Sequence, residues 1–176
     1  MDASSEFQDS LPVTSDALLA RLKADGIAFS YHEHVPLKTV ADSKEARGAM
    51  LPEEMGGGHI KNLYLRDKKK QNFLVVMQED ADVDLTALAG RIAAGRLSFG
   101  SPERLMEHLG VRPGAVTPLA MVTGAGKGVR CFIDGRLKAC REIYAHPLVN
   151  DRTVGLSPAD LARFLDGIGA VWDWLD

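Results

Sequence analysis

Apolar and polar positions alternate with two different periods along the chain, and the switches between them mark its elements. Thr14 or Ser15 caps a predicted helix whose Leu18, Leu19 and Leu22 share one face and which stops before Gly26. Residues 27–34 alternate over part of their length and read as a strand, with His32 and His34 on one face. Thr39 followed by Asp42 predicts a capping box for a short helix through Ala46. Residues 51–58 end in three consecutive glycines and read as a mobile loop at the mouth of a site. They lack the strand, glycine loop and helix order of a phosphate-binding loop. A hairpin is predicted next: residues 60–65, a charged turn, then the wholly apolar residues 73–77, which belong in the middle of a sheet.

Asp84 opens a helix with Leu85, Leu88, Ala89 and Ile92 inward. After a connector at 97–100, Ser101 and Pro102 open another that buries Leu105, Met106 and Leu109. Residues 116–122, 129–133 and 137–140 read as successive strands, with Asp134-Gly135 as the turn between the last two. Residues 142–149 and 153–156 add strands around the break at His146-Pro147. Ser157, Pro158 and Asp160 then start the clearest helix, striped by Leu161, Phe164, Leu165 and Ile168. Helices mixed with hairpins, without regular β-α-β alternation, predict an α+β fold: a mixed, mostly antiparallel sheet surrounded by helices. Residues 13–176 are expected as one domain and residues 1–12 as a flexible lead-in.

Composition narrows the function classes only a little. A net charge of -3 and a pI near 6.0 argue against coating nucleic acid by bulk electrostatics. The run Arg66, Lys68, Lys69, Lys70 is either a solvated turn or a local phosphate contact. Two cysteines, Cys131 and Cys140, make no disulfide framework. No apolar run has the length of a membrane span, and residues 1–9 show no signal pattern, so a cytoplasmic protein is expected. His32 and His34 have no third partner at metal-ligand spacing, and neither a metal nor another cofactor is expected.

Two short segments carry the candidate chemistry. Lys61 and Asn62 fall in a strand expected to be largely buried, where a cation and an amide are costly unless they have a purpose. His146 and Asn150 flank a proline about eighty-five residues later, and the four form one site if the fold brings the segments together. No serine or cysteine is paired with a base as a covalent nucleophile requires.

At these residues the chain resembles the YbaK/prolyl-tRNA editing family. The likeness runs through Lys61-Asn62-Leu63-Tyr64-Leu65, Leu97-Ser98-Phe99-Gly100-Ser101-Pro102-Glu103-Arg104-Leu105, Val116-Thr117-Pro118-Leu119, and His146-Pro147-Leu148-Val149-Asn150 leading into Thr153-Val154-Gly155-Leu156-Ser157. The His-Pro-Leu-x-Asn form points to the branch of free-standing Ala-tRNA(Pro) deacylases and the insertion domain of bacterial prolyl-tRNA synthetases. The resemblance implies hydrolysis of the aminoacyl ester of mischarged tRNA, most simply Ala-tRNA(Pro), by water without a covalent intermediate. The tRNA acceptor end is the implied partner, prolyl-tRNA synthetase a further one, and no sequence-specific DNA binding is expected. Lys61 is then expected to anchor the substrate through its terminal phosphate or ester carbonyl, with Asn62 orienting it or donating to the carbonyl. His146 is expected as a base or an orienting group, and Asn150 as the brace of its loop. Gly100 and Ser101 are expected to offer N–H groups to the substrate. Ile60, Leu63, Phe99 and Met121 are expected as walls of a pocket that excludes prolyl, and Arg66 and Lys68 to Lys70 as tRNA backbone contacts. Deacylation of another amino acid, Cys or Ser, and a non-catalytic nucleic-acid-binding module are the competing readings.

Overall fold

A computed structural model describes all residues, 1–176. In chain order the elements are α1 (Ser15–Ala24), β1 (Ser30–Glu33), α2 (Val40–Glu45), β2 (Gly57–Arg66), β3 (Asn72–Gln78), α3 (Leu85–Arg91), β4 (Ser98–Phe99), α4 (Pro102–Leu109), α5 (Met121–Gly124), β5 (Arg130–Asp134), β6 (Glu142–Ala145), β7 (Arg152–Leu156), α6 (Pro158–Gly167) and β8 (Val171–Leu175). The caps read from the sequence form. Thr14 accepts from the Ala17 N–H, Thr39 and Asp42 make a reciprocal box, and Ser101 and Ser157 accept from Arg104 and Asp160.

The strands form one mixed sheet in the order β1-β7-β6-β2-β3-β5-β8, with β4 on β2. Pairings β1/β7, β6/β7, β2/β3 and β2/β4 are antiparallel, whereas β2/β6, β3/β5 and β5/β8 are parallel. The α+β class follows as expected. β3 is central because its side chains are apolar on both faces. Leu74 and Val76 point into the larger core with α1, α4 and α6, and Phe73, Val75 and Met77 into a second core under α3.

Four expectations are corrected. Residues 116–122 are not a strand: the Thr117 hydroxyl accepts from the Leu119 N–H, Pro118 has no N–H for a ladder, and a 3-10 turn runs into α5. Residues 137–140 are not the return arm of a hairpin. The Asp134 carboxylate binds the backbone and guanidinium of Arg136 and winds Gly135–Ala139 into a 3-10 turn, leaving β5 parallel to both its neighbours. The lead-in is docked: the Ser5 N–H and hydroxyl donate to the Asp151 carboxylate at 2.9 and 2.6 Å, and Leu11 is buried. The glycine run is built into structure too, since a Cβ on Gly57 would lie 1.9 Å from the Leu51 carbonyl oxygen. β8 was not anticipated, although Val171 to Leu175 does alternate.

Gly100 shows how tightly β4 is docked. Its N–H donates to the Tyr64 carbonyl, and a Cβ would stand 2.1 Å from the buried Tyr64 ring, whose hydroxyl donates to Asn72. Gly100→Ala is therefore expected to cost about 1–3 kcal/mol in a urea titration through overpacking.

Candidate active site

The sheet is split on one side of β2. Strand β6 pairs with it only as far as His59, and β4 begins only opposite Leu65. Between them residues 60–64 pair with no strand on this side. The Glu79 N–H donates to the His59 carbonyl, so odd-numbered residues of β2 turn their peptide groups to β3 and even-numbered ones turn away, as the Tyr64 carbonyl does toward Gly100. The N–H and C=O of Asn62 therefore point into the gap, where no ladder partner takes them. Its side-chain Oδ1 is buried without a partner as well.

A cavity of about 240 Å³ opens at this gap. Ile60, Lys61 and Asn62 form one side; Tyr144, Ala145, His146 and Thr153 form another. The segment around α2 closes it with Leu37, Lys38, Thr39, Val40, Ser43 and Met50, and His59, Gly114 and Val116 complete the lining. That segment is clasped to the turn after β3 by the pairs Lys44–Asp80 at 2.8 Å and Arg47–Glu79, whose carboxylate is buried.

Lys61 and Asn62 leave β2 on opposite faces, and both line the cavity. Lys61 is half-buried rather than largely buried, and its ammonium donates to the Ala81 carbonyl. It has no carboxylate partner, so its charge is available to an anion.

His146 is held in one tautomer. Its Nδ1–H donates to the Arg152 carbonyl at 2.7 Å, which leaves Nε2 as an acceptor on the cavity side. Burial, reinforced by nearby His34, pulls its pKa down to about 4, so the ring is neutral at pH 7. His34 itself is tied to Thr153 at 2.7 Å and to the Val35 carbonyl, and no group of three potential metal ligands occurs in the chain.

The remaining expected site residues are elsewhere. Asn150 is buried behind the cavity, donating to the Leu37 carbonyl and accepting the Leu37 N–H, so it braces the segment leading to α2 rather than touching the cavity. Leu63 shares the face of Leu65 and packs toward the second core. Met121 is fully buried in the main core. Phe99 is 62% exposed, on an outer strand. Gly100 serves the packing on Tyr64, and the Ser101 hydroxyl is spent on the cap of α4. Of the four expected walls only Ile60 lines the cavity. Lys68 to Lys70 are exposed in the β2/β3 turn, roughly 20 Å along the strand from Lys61. Lys38, Met50, His59, Tyr144 and Thr153 were not singled out. His59 and Tyr144 lie inside the two segments the sequence does single out, but as apparent core residues.

The model of the aminoacyl-tRNA editing domain matches residues 34–164, a span that contains this whole cavity. The chain belongs to that family. The editing domain is 36% identical over 149 residues to prolyl-tRNA synthetase associated domain-containing protein 1 of Danio rerio, covering 82% of this chain and 77% of the relative. It is 32% identical over 154 residues to the prolyl-tRNA editing protein ProX of Acetoanaerobium sticklandii, covering 87% and 91%. Among solved structures, one described as "a putative trans-editing enzyme for prolyl tRNA synthetase" superposes with a TM-score of 0.67 at 21% identity, over 92% of this chain and 96% of that one, a likeness of fold.

Proposed function

We propose that this editing domain is a trans-acting deacylase of mischarged tRNA, with Ala-tRNA(Pro) as its substrate. The observation that carries the reading is Asn62 in a gap of the sheet at the mouth of a cavity, its peptide turned away from β3 and its Oδ1 buried without a partner, flanked by a cation with no carboxylate partner and a neutral imidazole. An aminoacyl ester is already activated, so catalysis needs a placed water and a donor for the carbonyl oxygen as charge develops. The Asn62 N–H is that donor. Lys61 holds the phosphate of the terminal nucleotide, with Lys38, which lines the same cavity, as a second cation. His146 Nε2 accepts a hydrogen bond from the attacking water or from the free ribose hydroxyl and so orients it. The water adds to the carbonyl carbon and gives up a proton, the tetrahedral intermediate collapses with cleavage of the bond between the acyl carbon and the ribose oxygen, and that oxygen takes up the proton as it leaves as a hydroxyl.

Ile60, Met50 and Val116 are among the apolar residues of the cavity, and they are the walls through which alanyl would be told from the larger prolyl group. The names of the Danio rerio and Acetoanaerobium sticklandii relatives support tRNA(Pro) as the carrier and prolyl-tRNA synthetase as the associated enzyme. The test is a deacylation panel of Ala-, Ser-, Cys- and Pro-tRNA(Pro). Rapid loss of alanine with prolyl spared is the expected result. Faster release of Cys or Ser would replace the substrate, and tRNA binding without ester loss on any member would overturn the enzyme reading.

A further inference from the structure

Met50 is a wall of the cavity, yet it lies in an irregular stretch: residues 47–52 belong to neither helix nor strand. Its position is fixed through the next residue. The Leu51 N–H donates to the Tyr144 hydroxyl at 2.7 Å, and the Leu51 carbonyl accepts from His59 Nε2 at 2.7 Å. Both peptide groups of one loop residue are thus taken by two side chains that face each other across the β2/β6 pair. The rings stack at 5.0 Å and 24°. The Tyr144 hydroxyl donates its own proton to Glu142 Oε2 at 2.7 Å, which turns a lone pair to Leu51. Gly57 lets the carbonyl approach so closely, as no side chain fits there.

We propose that Tyr144 and His59 are specificity-determining positioning residues that hold Met50 against the amino-acid end of the cavity and so keep it too small for prolyl. The inference rests on the editing reading above. Neither ring needs to touch the reacting atoms. Their effect is on pocket size, where one methylene of fit is worth about 10–200-fold in discrimination. Loss of the clamp frees an irregular segment to retreat, which admits the larger acyl group. A scaffold role alone would lower turnover of both substrates together.

The experiment compares kcat/KM for Ala-tRNA(Pro) and Pro-tRNA(Pro) in wild type, Tyr144→Phe and Met50→Ala. Both variants are expected to narrow the Ala-over-Pro ratio by about tenfold or more, through faster release of proline. In the free protein, hydrogen exchange of the Leu51 amide is expected to quicken in Tyr144→Phe. His59→Leu removes the other half of the clamp and is read the same way if Tyr144→Phe does not fold. A ratio unchanged in the clamp variants, or activities that fall in parallel, would overturn the proposal while leaving the editing reading intact. A wild type that releases no alanine would instead remove the reading on which it rests.

Discussion

Lys61→Ala is expected to lower kcat/KM for alanyl-tRNA by about 10²–10³-fold while the protein stays folded. The magnitude is that of removing one partner from a desolvated charge pair, roughly 3–4 kcal/mol within a range of 2–5. The fold should tolerate the change, because Lys61 is half-buried and its one bond is to the Ala81 carbonyl at the surface turn after β3. No carboxylate is left uncompensated. Assigning the ammonium to a phosphate, and the carbonyl oxygen to the Asn62 N–H, makes a second consequence measurable. Wild-type kcat/KM should fall with added salt, and the variant's dependence should be shallower. Lys61→Arg keeps the charge but replaces a compact ammonium with a planar fork, so it is expected to restore only part of the activity. A variant that loses less than threefold, with the salt dependence unchanged, would remove Lys61 from the site.

What was legible in the sequence is what local chemistry determines. The caps at Thr14, Thr39, Ser101 and Ser157 are decided within four residues, and all of them form. β3 was legible because a run apolar on both faces has only the middle of a sheet to occupy. The failures are tertiary. Residues 116–122 carry strand-like apolar content, but Pro118 and the Thr117 cap override it. Asp134-Gly135 looks like a hairpin turn, yet the long-range parallel pairing of β5 with β3 and β8 leaves no place for a return arm. The site divides in the same way. Lys61, Asn62 and His146 were visible as polar groups in apolar segments, and the fold brings them to one cavity. Phe99 and Met121 are apolar and near a motif, which is all that the sequence offers for a wall. Their side-chain direction, which strand pairing and core packing decide, sends one to solvent and the other to the core. Met50 and Lys38 carry no local signal, since they reach the cavity only through long-range contacts: the clasp of the α2 segment onto Glu79 and Asp80, and for Met50 the bonds of Leu51 to Tyr144 and His59.

The stability of the protein is expected to fall between pH 6.5 and pH 4, before most carboxylates titrate, and His146 is the main cause. Its folded-state pKa is lowered from 6.5 to about 4, chiefly by burial, while the unfolded chain keeps the ordinary value. The sign follows from proton counts. Above pH 6.5 neither state carries the proton and stability is complete. As pH falls toward 4 the unfolded state takes up a proton that the folded state refuses, so unfolding is favoured. Below 4 both states are protonated and the loss levels off, at up to about 3 kcal/mol. Burial holds the ring in this state, helped by His34 at 6.0 Å; the Arg152 carbonyl that accepts its Nδ1–H, and more weakly Asp151, favour the protonated form and only partly offset it. His59 is lowered by burial too and adds to the same window with the same sign. The lowered carboxylates Asp67 and Asp134 act below it, since their loss begins near 3.8. Urea titrations of wild type and His146→Asn from pH 7.5 to 4 isolate the contribution. The variant is expected to lose the larger part of the slope, and curves that stay parallel across the window would show that His146 is not held neutral by the fold. The same tautomer is the one that the proposed chemistry calls for. A ring kept unprotonated with Nε2 toward the cavity accepts a hydrogen bond from water throughout the physiological range, which an ordinary histidine near its pKa would do for only part of the molecules.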